Sequence, residues 1–324
     1  MPPGSRNSEA DRCRRLRLRE RRFPPQGLCP PGPGLRWRSG RQQRQRITGR
    51  RFRRPVWHLG ATDWHNPPMS DAPCVLITIP ISHYCEKARW ALERAGVPYE
   101  ERAHLQIFHW AAVRRAGGGK TAPVLVWGDR VLDDSADIVA AADTRATSDR
   151  RLFPDDPGAA AEVRRLERDF DTHLGPHGRR WMYDGLRGRR DIAIAYGCTG
   201  VPGWQRRALP LAYPVAARVI DRFLDVSPAT AAKSEAVVRS VFDRVARKLK
   251  DGRPYLCGDR FTAADLTFAS LAAPMLMPPG YGVPLPPPEE LPAAMAATVR
   301  KFRTHPAGIH ALTMFHSERR DASC

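Results

Sequence analysis

At 324 residues and 42% hydrophobic content the chain has room for about two domains of roughly 150 residues each and is no disulfide miniature. Its seven cysteines (Cys13, Cys29, Cys74, Cys85, Cys198, Cys257, Cys324) form no CxxC or CxxxC pair and have no histidines at zinc-finger spacing, which points to a reducing compartment and no structural metal. The net charge of +19 resembles a nucleic-acid signature, yet residues 1–68 carry 17 arginines, no lysine and 4 acids (+13), against 36 basic and 30 acidic residues (+6) in 69–324.

The first 68 residues are rich in Arg, Pro and Gly, and their aliphatic residues recur with no usable period. Such a segment cannot bury enough apolar area to offset ordering its backbone, at roughly 1 to 2 kcal/mol per residue, so the composition predicts disorder. Three readings stay open: translation starting at Met69, an organelle transit peptide, or a nucleic-acid arm with Trp37, Phe52 and Trp57 as stacking groups. No apolar stretch reaches the roughly 20 residues of a membrane helix, and no signal-peptide core follows the basic start. A soluble, cytoplasmic protein with no membrane partner is expected.

CVLITI, residues 74–79, is a β-branched apolar run that predicts a buried strand. Tyr84, Ala88, Ala91, Leu92 and Ala95 then fall on one helical stripe, and Gly96 ends it. YEERAHL, 99–105, predicts a second strand, followed by an Arg- and Gly-rich stretch of some helical character up to Lys120. PVLVW and RVLD flank Gly128-Asp129, a two-residue hairpin signal, and Ser135 reads as the cap of a helix through ADIVAAAD. The predicted order is βαβαββα.

A polar linker leads to Asp156-Pro157, an N-cap followed by proline at the first helical position. Beyond it only helical patterns occur, at about 157–180, 205–224, 229–250, 262–275, 293–304 and 306–318. In DRFTAADLTFASL, Thr262 and Asp265 form an Asp version of the capping box, with Phe261 and Leu266 at the staple positions. That start fixes a buried central helix and carries no chemistry.

Four motifs in this order, SHYCEKAR (82–89), TAPVLV (121–126), DDSADI (133–138) and FTAADLTF (261–268), resemble the glutathione S-transferase family, serine-type and bacterial-like, over about residues 72–318. The resemblance implies an α/β thioredoxin-like N-terminal domain, 69–144, and an all-α C-terminal domain, 155–318, after the 1–68 extension. It implies glutathione as co-substrate, no metal, a small apolar electrophile as partner, and a homodimer.

Glutathione conjugation needs a thiolate, and with a free-thiol pKa of about 8.5 only about 3% is ionised at pH 7. A hydroxyl and a helix N-terminus aimed at the sulfur favour the ionised form. The resemblance places Ser82 there; on local grounds alone it is equally an N-cap. Cys85, three residues on in a CxxC-like spacing, either faces the glutathione sulfur and supports thiol transfer, or packs against the sheet. Pro123 matches the family's cis proline, which presents the backbone of Ala122 to glutathione; the alternative is a trans proline opening a strand. The family often has a lysine two residues before that proline, whereas Lys120 stands three before it.

Asp134 and Ser135 match the pair that receives the γ-glutamyl end, or are simply a turn and a cap. Trp110, Trp181, Tyr183 and Tyr281 either line an apolar electrophile pocket or belong to the core. His83 is expected to be exposed in the first helical turn. A redox enzyme using Cys85 and a non-catalytic binding protein of the same fold are the competing functions.

Overall fold

The computed structural model describes residues 74–319. The readings of the 1–68 extension, the Met69 start, and Cys13, Cys29 and Cys324 lie outside the described residues.

The elements run β1 (Cys74–Thr78), α1 (His83–Arg94), β2 (Tyr99–Ala103), α2 (His109–Arg115), β3 (Val124–Trp127), β4 (Arg130–Leu132) and α3 (Ser135–Asp143). This is the βαβαββα order. The sheet order is β2-β1-β3-β4, with β1 parallel to β2 (Cys74 opposite Tyr99) and antiparallel to β3 (Cys74 opposite Trp127). Gly128 takes a left-handed φ of 58° in the hairpin, where an L side chain would be strained. Helix α2 covers one face of the sheet through Val113 against Ile77 and Val124, while α1 and α3 cover the other and merge with the helical core.

The helical part comprises α4 (Pro157–His173), α5 (Gly175–Gly185), α6 (Arg190–Gly197), α7 (Gly203–Leu224), α8 (Pro228–Lys248), α9 (Ala263–Leu276), α10 (Ala293–Thr304) and α11 (Pro306–Ser317). The expected helix over 157–180 is divided at Leu174, because Pro176 has no N–H to continue the ladder. Asp156 caps α4 by accepting from the Ala159 N–H at 2.7 Å. Helix α9 is buried on every side. Its Asp265 carboxylate accepts from the backbone of Thr262 and Leu256, at 3.1 and 2.7 Å, which closes the capping box and ties the preceding loop to the helix.

Helix α1 departs from the one-stripe expectation: Glu86, Lys87 and Arg89 are as buried as Ala88 and Leu92. Each charge is paired, as burial demands. Lys87 Nζ meets Glu167 and Asp171 of α4 at 3.0 and 2.8 Å. Arg89 bonds Glu101 of β2 at 2.7 Å, and Arg319 bonds Glu86 at 2.8 Å. Among the described residues no helix is long and apolar enough to cross a membrane.

Candidate functional site

The loop between β1 and α1 is held from three directions. Ser82 N–H donates to Ile79 O at 3.0 Å, the Arg89 guanidinium donates to Pro80 O at 3.1 Å, and the Tyr281 hydroxyl donates to Ile81 O at 3.3 Å. Ser82 thereby occupies the N-cap of α1 with an extended backbone, its Oγ accepting from Cys85 N–H at 3.4 Å. The same hydroxyl is also within hydrogen-bonding reach of the Cys85 thiol and favours its deprotonated form, though less than burial disfavours it. Ser82 lines a cleft whose other walls come from residues 120–122, from Trp110 of α2, and from Arg179 and Tyr183 of α5.

Cys85 is placed differently. Its side chain is fully buried against the sheet, Sγ accepts from the Ile79 N–H at 3.4 Å, and it is not among the residues lining the cleft. Burial pushes its thiol above the usual range, opposite to what an attacking thiolate requires. The exposed His83 expected from sequence is corrected too: it is 2% exposed and its Nε2 donates to Gly175 O at 3.1 Å. Burial, with the nearby Arg179 charge, holds its pKa down at about 3, so the ring is neutral.

The Ala122–Pro123 peptide bond is cis, as the resemblance implied. The segment before it is held by His109, whose Nε2 donates to Lys120 O at 3.2 Å while Nδ1 accepts from Ile107 N–H at 3.1 Å. Lys120, Thr121 and Ala122 therefore stand in the same cleft as Ser82. Asp134 and Ser135 do not line it. Asp134, not Ser135, is the N-cap of α3, accepting from Ala136 N–H at 2.7 Å, and Ser135 is the buried first helical residue.

A second, apolar cavity of about 310 Å³ adjoins the cleft and shares with it Ile79, Ile81, Gln106, Met182 and Tyr183. Its remaining lining comes largely from α6 and α7, including Ile192, Tyr196, Leu209, Tyr213 and Ile220. Of the aromatic candidates, Tyr183 lines both spaces and Trp110 the cleft, whereas Trp181 is buried and donates to Glu235 at 3.1 Å. Tyr281 is also buried and holds the Ser82 loop instead of lining a pocket.

The lining residues of α6 and α7 were not singled out from sequence. A signal exists in α7, where Leu209, Tyr213, Ala216 and Ile220 recur at helical spacing. Trp204, Leu211 and Val215 form a second stripe that is exposed, so periodicity alone does not say which stripe faces a cavity. Helix α7 is clasped by its buried Gln205, which accepts from Leu105 N–H at 2.9 Å and donates to His104 Nδ1 at 2.8 Å. Among the described residues no group of three or more His, Cys, Asp or Glu side chains is arranged to hold a metal ion.

The glutathione S-transferase N-terminal domain model matches residues 76–149, and the glutathione S-transferase C-terminal domain model matches residues 228–296. No curated protein sequence matches the chain. Among solved structures, poplar glutathione transferase F1 is 14% identical with a TM-score of 0.51, covering 78% of this chain and 97% of its own. Glutathione transferase F7 from Populus trichocarpa is 14% identical with a TM-score of 0.50, covering 77% and 97%. A glutathione S-transferase I bound with lactoylglutathione is 15% identical with a TM-score of 0.51, covering 78% and 99%. At these identities the structures speak to the fold alone. With both domain models matched in order, on a thioredoxin-like sheet followed by a helical region, the chain belongs to the glutathione S-transferase family.

Proposed function

We propose that the protein is a serine-type glutathione transferase, binding glutathione in the cleft and an apolar electrophile in the adjoining cavity. The observation that carries this reading is the position of Ser82: an N-cap hydroxyl lines a cleft whose opposite wall opens into an apolar space. The Ser82 hydroxyl donates to the glutathione sulfur, and the first turn of α1 adds its partial positive charge, so the thiol releases its proton to solvent on binding. The thiolate then forms a carbon–sulfur bond with an electrophile held against Tyr183 and Met182, and a leaving group such as chloride departs with the electron pair of the broken bond. Ala122 presents backbone to the cysteinyl part of glutathione, and Lys120 supplies a cation to a carboxylate. Asp134 and Ser135 remain the proposed contacts for the γ-glutamyl end, reached by the part of glutathione that extends beyond the cleft.

Residues 69–144 would act as the glutathione-binding domain and 155–318 as the helical domain of a cytoplasmic homodimer. Thiol-transfer chemistry at Cys85 is the weaker reading, since that sulfur is enclosed and its pKa is raised. The test is turnover of a chloro-aromatic acceptor with glutathione. Wild type should conjugate it and Ser82→Ala should lose about 100-fold in kcat, the scale of one oxyanion-type donor. A protein that neither turns over the acceptor nor is retained on immobilised glutathione would sink the reading in favour of a non-catalytic role.

A further inference from the structure

We propose that Arg179 is a second thiolate-stabilising group, its guanidinium facing the sulfur of glutathione from the helical side of the cleft. The inference rests on glutathione occupying the cleft. Arg179 lies on α5, one helical turn before Met182 and Tyr183, two of the residues shared by the cleft and the apolar cavity. The reacting sulfur must stand at that boundary, with Ser82 on one side and the electrophile on the other.

The arginine is half-buried, and its Nε is enclosed without a hydrogen-bond partner among the described residues. Neither Asp nor Glu lines the cleft. A guanidinium partly withdrawn from water, with no counter-ion among the described residues, is unfavourable, and an anion is the partner that would complete it. The side chain is close enough to His83, Tyr84 and Tyr183 for its charge to favour the deprotonated form of each. None of them is that anion: the His83 ring is neutral, and burial holds both phenols protonated well above neutral pH. The same field acting on a thiol beside Ser82 lowers its pKa. Lys120, the other cation lining the cleft, belongs to the wall formed with Thr121 and Ala122, and in the proposed function it meets a carboxylate and not the sulfur.

Two ligands separate the roles: glutathione, and S-methylglutathione, which keeps both carboxylates and has no ionisable thiol. Thiolate absorbance of bound glutathione would be titrated against pH in the full-length wild type, Arg179→Met and Arg179→Lys, and S-methylglutathione affinity measured by calorimetry. The expected result in Arg179→Met is a rise of about one unit in the bound thiol pKa, tenfold less thiolate at a pH below it. Its S-methylglutathione Kd should stay within about twofold, and Arg179→Lys should restore part of the shift. Should Arg179→Met fail to fold, Arg179→Gln carries the same comparison. An unmoved titration overturns the proposal, and so does an equal loss of both ligands, which would make Arg179 a carboxylate contact. If wild type forms no thiolate with glutathione, the proposed function itself falls, and this inference with it.

Discussion

The two walls of the site are built on opposite physical terms. On the Ser82 side, a short loop is locked by buried, fully paired charges: Arg89 reaches Glu101 and the Pro80 carbonyl, and Arg319 reaches Glu86. On the other side, α7 spans Gly203–Leu224 yet buries only Gln205, Leu209 and Leu224, and leaves Trp204, Leu211 and Val215 exposed. The N-terminal domain model covers the first wall within residues 76–149, while α6 and α7 lie between the two matched segments. A pinned wall suits a group that must aim at one sulfur atom within a fraction of an ångström. A lightly anchored apolar helix suits the accommodation of an electrophile by contact area alone.

Breaking the pinned wall should have the largest effect. Arg89→Met leaves Glu86 and Glu101 short of a partner and frees Pro80 O, and is expected to cost about 3 to 5 kcal/mol. A chemical-denaturation midpoint unchanged from wild type would show that the charges do not lock the loop.

The pH dependence of stability sharpens the contrast further. His83 titrates at about 3 in the folded protein and near 6.5 when unfolded, so the unfolded state binds more protons between these values. Stability from the neutral ring is fully present above about pH 6.5 and lost as pH falls, by about 2 kcal/mol between pH 7 and 5. His109, also depressed, to about 4, adds a slope of its own in that window. The readout is therefore the wild type against His83→Gln, which keeps a donor for Gly175 O and should flatten the dependence by that amount. Equal slopes would mean that His83 is not enclosed.

The α7 wall should respond in specificity. Ala217→Phe fills part of the 310 Å³ cavity and is expected to raise KM for an apolar electrophile about tenfold, with glutathione affinity unchanged. Loss of glutathione binding in this variant would mean that the two spaces are not separate sites.

What could be read in advance follows the same division. The β1–α1 unit, the hairpin at Gly128, the box at Thr262 and Asp265, and Ser82 as a cap are written in local patterns of periodicity, turns and caps, whereas the roles of Ser82 and Ala122 toward glutathione come only with the family resemblance. His83 and the charges of α1 were legible only as polar letters, because their partners at Gly175, Asp171 and Arg319 are distant in sequence. The break at Leu174 needed Pro176 to be read as an interruption of one helix. Helix α6 is short, and α7 is apolar on two faces, so no local rule marked which residues enclose the cavity.

The central claim is that the hydroxyl of Ser82, and not the thiol of Cys85, faces the glutathione sulfur. Thiolate absorbance on adding glutathione, titrated for wild type, Ser82→Ala and Cys85→Ser, tests it most directly. Wild type and Cys85→Ser should show the same depressed thiol pKa, with Ser82→Ala shifted back toward the free value of about 8.5. A signal kept in Ser82→Ala and lost in Cys85→Ser would contradict the account.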